Sequence, residues 1–206
     1  MTFQLSDRAK QLIPLARIVN LAKLGVGAGA IARIQAADDE SRYLTNEDLV
    51  ELGSENSHLG WNLECVRYLR ENAEAIVTDA RSAVLAAYPD ITETGGDLHP
   101  ASRAEACWRD FWHFLRCITY GIASGTPAFT SADGLSYMEQ LYQELKVPLP
   151  AMVTGLEALK AESLQRLSLK QLSQKGLVSQ VNEAEEISLD IAPYFDHLIG
   201  ELRSFG

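Results

Sequence analysis

Apolar residues fall at three- and four-residue steps through nearly all of the sequence, the spacing of helices that turn one face inward. The clearest run lies between about Asn62 and Ala87, where Leu63, Val66, Leu69, Ala73, Ile76, Val77, Ala80, Val84 and Ala87 draw one stripe. That predicts a single long helix. A second is predicted from Ala101 to about Ala123, opened after Pro100 and stopped by Gly125, Thr126 and Pro127. Leu135, Met138, Leu141, Tyr142 and Leu145 mark another. Met152 to Leu164 marks the next, beyond a corner set by Pro148 and Pro150. The last carries Ile187, Ile191, Phe195, Leu198 and Leu202, with Pro193 demanding a kink or a fresh start.

The early chain is less regular. Ser6 can cap a helix reaching Asn20 that Pro14 kinks or splits, and Thr45 with Asp48 has the spacing of a capping box. Asp38-Asp39-Glu40-Ser41 reads as a turn or a solvated connection, and Pro89 to Pro100 as a loop around Gly95-Gly96. Residues 167–183 suit a loop or a loose helix equally. No strand run or hairpin dipeptide stands out, so the expected class is all-α. About eight helices with proline corners fit a globin-like packing and an ordinary bundle alike.

Composition narrows the function. A length of 206 residues supports one domain, and a net charge of −10 argues against nucleic acid or an anionic membrane as partner. The Ala- and Gly-rich stretch Ile18–Ile34 is broken by Lys23 and Arg33, so no membrane insertion is expected. Cys65, Cys107 and Cys117 are odd in number and form no C-x-x-C pair, which points to a reducing, cytoplasmic setting.

The chemistry gathers on the helix 101–123. Cys107 and Asp110 share a face, and Arg103 and Phe114 lie on the same stripe. Arg109 and Arg116 sit about two turns apart on another side. This helix, C-W-R-D-F-W-H-F-L-R-C-I-T-Y-G, resembles the chromophore helix of the phycobiliprotein branch of the globin superfamily. GGDLHP resembles the loop before it, and YQELKVPLPAMVTGLEALK the helix–corner–helix that follows. RYLTNEDLVELG and ENAEAIVTDA are similar to the family's early helices, and APYFDHLIGEL to its closing one. The motifs run in order from Arg42 to Leu202.

The resemblance implies a globin-like fold for 42–206, with residues 1–41 as an N-terminal helical extension used in pairing. The implied cofactor is a bilin, a linear tetrapyrrole of the phycocyanobilin type, although a chain with none bound stays open. Cys107 matches the attachment cysteine, Arg109 the propionate-binding arginine and Asp110 the aspartate that faces the central pyrroles; Asn72 matches an asparagine methylated in one subunit type. The chemistry agrees. A thiol can form a thioether, a carboxylate can accept from two pyrrole N–H groups and favours their protonated form, and arginine can hold a propionate in bidentate fashion. Arg103 and Phe114 complete the expected site. The implied partner is a second copy or a related globin.

Trp108, Trp112, His113 and Phe114 stand where antenna members carry Leu, Asp and two Tyr, and they are expected to crowd the pocket. This variant looks more like the bilin biosynthesis-associated globins than a light-harvesting subunit. Two rivals remain: an antenna subunit with covalent pigment, and a chromophore-free regulatory protein whose pocket is filled by its own tryptophans. A third role, haem ligation by His113, competes with ordinary packing of that ring. Cys65 and Cys117 suit the core. His58, His99 and His197 lack metal spacing, and no nucleophile–base pair or phosphate loop points to an enzyme.

Overall fold

The computed structural model describes residues 5–175 and 181–206, with side chains over 5–168 and 191–206. Nine helices are described: α1 (Asp7–Leu12), α2 (Ala28–Asp39), α3 (Asn46–Glu55), α4 (Gly60–Glu71), α5 (Ala73–Ala87), α6 (Ala101–Ala123), α7 (Ala132–Leu145), α8 (Leu149–Lys175) and α9 (Val181–Arg203). The fold is all-α, and among the described residues the one strand-like pairing is an isolated bridge between Val19 and Thr130.

Where a cap or breaker acts locally, the sequence placed the boundary well. Thr45 accepts from the Asp48 N–H at 3.1 Å while the Asp48 carboxylate accepts from the Thr45 N–H at 2.8 Å, closing the capping box of α3. The bounds of α6 are those expected. Lys146, at φ 52°, closes α7 by sending the Val147 N–H back to the Tyr142 carbonyl at 2.9 Å.

Three expectations are corrected. Pro14 neither kinks nor splits a longer helix; α1 stops at Leu12, and an irregular stretch runs on to the bridge at Val19. The stripe from 62 to 87 belongs to two helices that break at Asn72, whose Nδ2 donates to the Tyr68 carbonyl at 2.8 Å. Asp38 and Asp39 form the last turn of α2, with Asp38 buried, and the expected turn is confined to Glu40 and Ser41. Of the two readings of Pro193, the fresh start is excluded, since the residue lies inside α9. The alternative left open at 167–183 resolves to helix up to Lys175 and again from Val181; residues 176–180, and the side chains of Ile187, Glu183, Glu185 and Glu186, lie outside the described ones.

The core forms where α8 packs along both α5 and α9, and where α6 crosses α4, α5, α8 and α9. Phe111, Phe114, Leu115, Cys117, Ile118, Tyr120 and Ile122 of α6 are fully enclosed, which makes that helix the central element. Where α8 meets it, a Cβ on Gly155 would lie 2.0 Å from the Phe111 ring, so only glycine fits. Gly155→Ala should therefore lower the unfolding free energy by about 1–3 kcal/mol through overpacking, read as a lower urea midpoint at unchanged slope.

Candidate functional site

The central helix has two sides. One, with Trp108, Phe111 and Leu115, faces the core, where Trp108 lies against Phe111 and under the Arg81 guanidinium. The other borders a cavity of about 780 Å³ into which Cys107, Arg109, Asp110, His113, Phe114 and Arg116 project. Helix α7 supplies Met138, Leu141 and Tyr142, and the end of α2 supplies Asp38 and Asp39. The volume falls in the roughly 300–1,000 Å³ range of sites for drug-sized ligands.

Four of the five expected residues meet there: Cys107, Arg109, Asp110 and Phe114. Arg103 does not line the cavity. It turns to the end of α7, where it donates to the Leu145 and Lys146 carbonyls at 2.9 and 3.0 Å and caps the negative end of that helix. The crowding expected from the tryptophans is likewise corrected. Trp108 and Trp112 project from the far side of α6, Trp112 being 39% exposed beside the edge of Tyr43, so neither fills the space.

Burial sets the protonation states. Loss of water raises the Asp110 carboxyl to about 6, against the pull of a hydrogen bond from the Tyr142 hydroxyl at 2.7 Å and of the Arg109 guanidinium. Burial, reinforced by Asp110 and opposed by Arg103, raises the Cys107 thiol to about 12, so the ligand-free protein holds a protonated, poorly nucleophilic thiol. Arg109 is exposed and makes no hydrogen bond or ion pair with another described residue, which leaves its fork free for an anion.

A charged cluster that the sequence reading missed adjoins this set. Arg116, buried on α6, reaches the Asp38 carboxylate at 3.4 Å, the His113 Nδ1 at 2.8 Å and the Tyr120 hydroxyl at 3.2 Å. Arg17 pairs with Asp38 and with Asp39, each at 2.6 Å. Burial beside Arg116 depresses His113 to about 4, so the ring is neutral and accepts from Arg116. Its Nε2 lies 3.9 Å from the Cys117 sulfur. Both ring nitrogens therefore face protein groups, an arrangement that suits packing over iron ligation. Tyr142 was legible only as an apolar mark on α7, since its pairing with Asp110 spans 32 positions.

Among the described residues no group of three or more His, Cys, Asp and Glu could hold a metal, and no helix is long and apolar enough to cross a membrane. The three cysteines are buried and form no disulfide with one another.

Comparison with known proteins gives the family. The sequence model of the phycobilisome protein family matches residues 32–202. The chain belongs to the phycobilisome protein family. It is 30% identical to the allophycocyanin subunit alpha-B of Synechocystis sp., over 81% of this chain and 93% of that one. The corresponding subunit of Nostoc sp. is 31% identical over the same shares, and the allophycocyanin alpha chain of Thermosynechococcus vestitus 29%, over 81% and 94%. The all-α chain thus has the globin-like phycobiliprotein fold. Family members are structural pigment proteins and not enzymes.

Proposed function

We propose that this phycobiliprotein holds a bilin in the cavity beside α6 and serves bilin biology as an accessory protein, in the manner of the biosynthesis-associated globins. One observation carries the reading: a thiol, an exposed guanidinium and a desolvated carboxyl meet in one cavity large enough for an open-chain tetrapyrrole. The residues fit the group. Bound there, a bilin supplies a conjugated chain of pyrroles that absorbs visible light and can carry a proton. Asp110 would accept from its inner N–H groups, which satisfies a carboxyl that burial now disfavours as an anion. Arg109 would hold a propionate, Cys107 would anchor the ring-A side chain as a thioether, and the enclosed Phe114 would back the cavity wall behind them.

The open cavity favours this over the chromophore-free rival, whose tryptophans would have to fill it. The antenna reading stays second, supported by relatives named as allophycocyanin subunits. The proposal keeps residues 1–41 as an extension of one globin-like domain. It includes pairing with a second copy or a related globin, which would cover the exposed Leu15 and Val50.

Co-expression with a bilin-producing pathway should yield a coloured protein, and with the thioether removed by Cys107→Ala, adding Arg109→Ala should weaken noncovalent bilin binding about tenfold. A colourless wild-type product with no visible absorption would reject the reading. Assembly with related subunits into rings that transfer excitation would favour the antenna role.

A further inference from the structure

Part of the cavity wall comes from outside the segment that matches the family. Leu5, Ile13, Pro14, Ala16 and Arg17 line it, all of them before residue 32 where the match begins. This arm is fastened to its own chain. The Ser6 hydroxyl donates to Glu144 at 2.6 Å and Arg8 to Gln140 at 2.9 Å. The Ser131 N–H donates to the Ile18 carbonyl at 2.7 Å, and the Asn20 N–H to the Phe129 carbonyl at 2.8 Å. A Cβ at Gly134 would lie 1.8 Å from the Arg17 carbonyl oxygen, so the arm is seated directly on the first turn of α7.

The two carboxylates that Arg17 spans differ in their freedom. Asp38 is buried and also engages Arg116, whereas Asp39 is 48% exposed and has no other ion pair among the described residues. Asp39 can turn toward water and release one edge of the guanidinium while Asp38 still holds the other. Arg17 is itself 47% exposed and borders the cavity, so a ligand carboxylate can take the edge that Asp39 leaves. Together with Arg109, the cavity then offers two forks, the number needed by a ligand with two carboxylate side chains.

We infer that the N-terminal arm belongs to the ligand site: Arg17 latches it over the cavity and offers a second guanidinium to a ligand carboxylate. The inference rests on the bilin reading above. Its test compares a bilin diacid, biliverdin, with its dimethyl ester, titrated into the full chain and followed by quenching of tryptophan fluorescence. Arg17→Ala should weaken the diacid by about tenfold or more and leave the ester within about twofold, while Asp39→Asn should tighten the diacid. Equal loss for both compounds, or no loss for either, overturns the inference.

A readout without bilin separates the two proposals. In the ligand-free protein, Arg17→Ala and Gly134→Val both loosen the arm, by different means. Both should raise the rate at which iodoacetamide alkylates Cys107, and leave Cys65 and Cys117 slow. If the wild-type chain binds neither compound, the bilin reading fails and alkylation alone judges the arm. A selective rise at Cys107 supports it as the wall of the cavity. An unchanged rate, or a uniform rise at all three cysteines, overturns it.

Discussion

Asp38→Ala is expected to lower the unfolding free energy by about 3–5 kcal/mol at neutral pH, the cost of leaving a buried charge without its partner. Arg116 is only 6% exposed where it borders the cavity, and Asp38 is the carboxylate that faces it. His113 and the Tyr120 hydroxyl also contact Arg116, but His113 is neutral and neither contact balances the charge. Asp38 also holds Arg17, so the substitution loosens the N-terminal arm at the same stroke. Asp38→Asn keeps polar contacts without the charge and should fall between the two. Urea unfolding followed by circular dichroism measures both variants; a loss under about 1 kcal/mol for the alanine variant would mean that water already screens the cluster.

Asp110→Asn is expected to have opposite effects on stability and on ligand binding. The carboxyl titrates near 6 in the folded chain and at roughly 3.9 when unfolded. Between those values the native state binds more protons than the unfolded one. Wild-type stability therefore falls, through this group, as pH rises from about 4 to about 6, and the cost is complete above that. Asparagine escapes it and can still accept from Tyr142. The variant should be more stable than wild type by about 1–2 kcal/mol at pH 7.5, allowing for solvent in the cavity, and near parity at pH 4. Bilin affinity should move the other way, down about 10–100-fold, because charge-assisted hydrogen bonds to the pyrroles are lost. Denaturant melts at the two pH values and a bilin titration check both halves. A variant that is no more stable, or that binds bilin as well as wild type, would remove Asp110 from the site.

Local devices were legible in the sequence, and partnerships across the fold were not. The cap at Thr45, the bounds of α6 between Pro100 and Gly125, and the corner before α8 each depend on residues a few positions apart. The break at Asn72 was hidden because the apolar stripe keeps its spacing on both sides of it. A helical wheel put Arg103 on the face of Cys107 and Asp110, but its reach is decided by the carbonyl ends of α7, more than 40 positions away. Asp38 looked solvated because Arg116, the charge that permits its burial, lies 78 positions on. The tryptophans of α6 were expected in the pocket on the strength of their bulk, whereas 108 and 112 fall on the opposite side of the helix from 106, 110 and 113. Cys107, Arg109 and Asp110 were found through a resemblance that spans most of the chain; their spacing alone would have marked them only weakly.

The most direct test of the account is a denaturing gel of the protein co-expressed with a bilin pathway, stained with zinc and read for fluorescence. A fluorescent band in the wild type that vanishes in Cys107→Ala is the predicted result, with noncovalent colour still present in the native variant because Asp110 and Arg109 remain. A band that persists without Cys107, or a wild-type protein that is dark on the gel and colourless in solution, would contradict it.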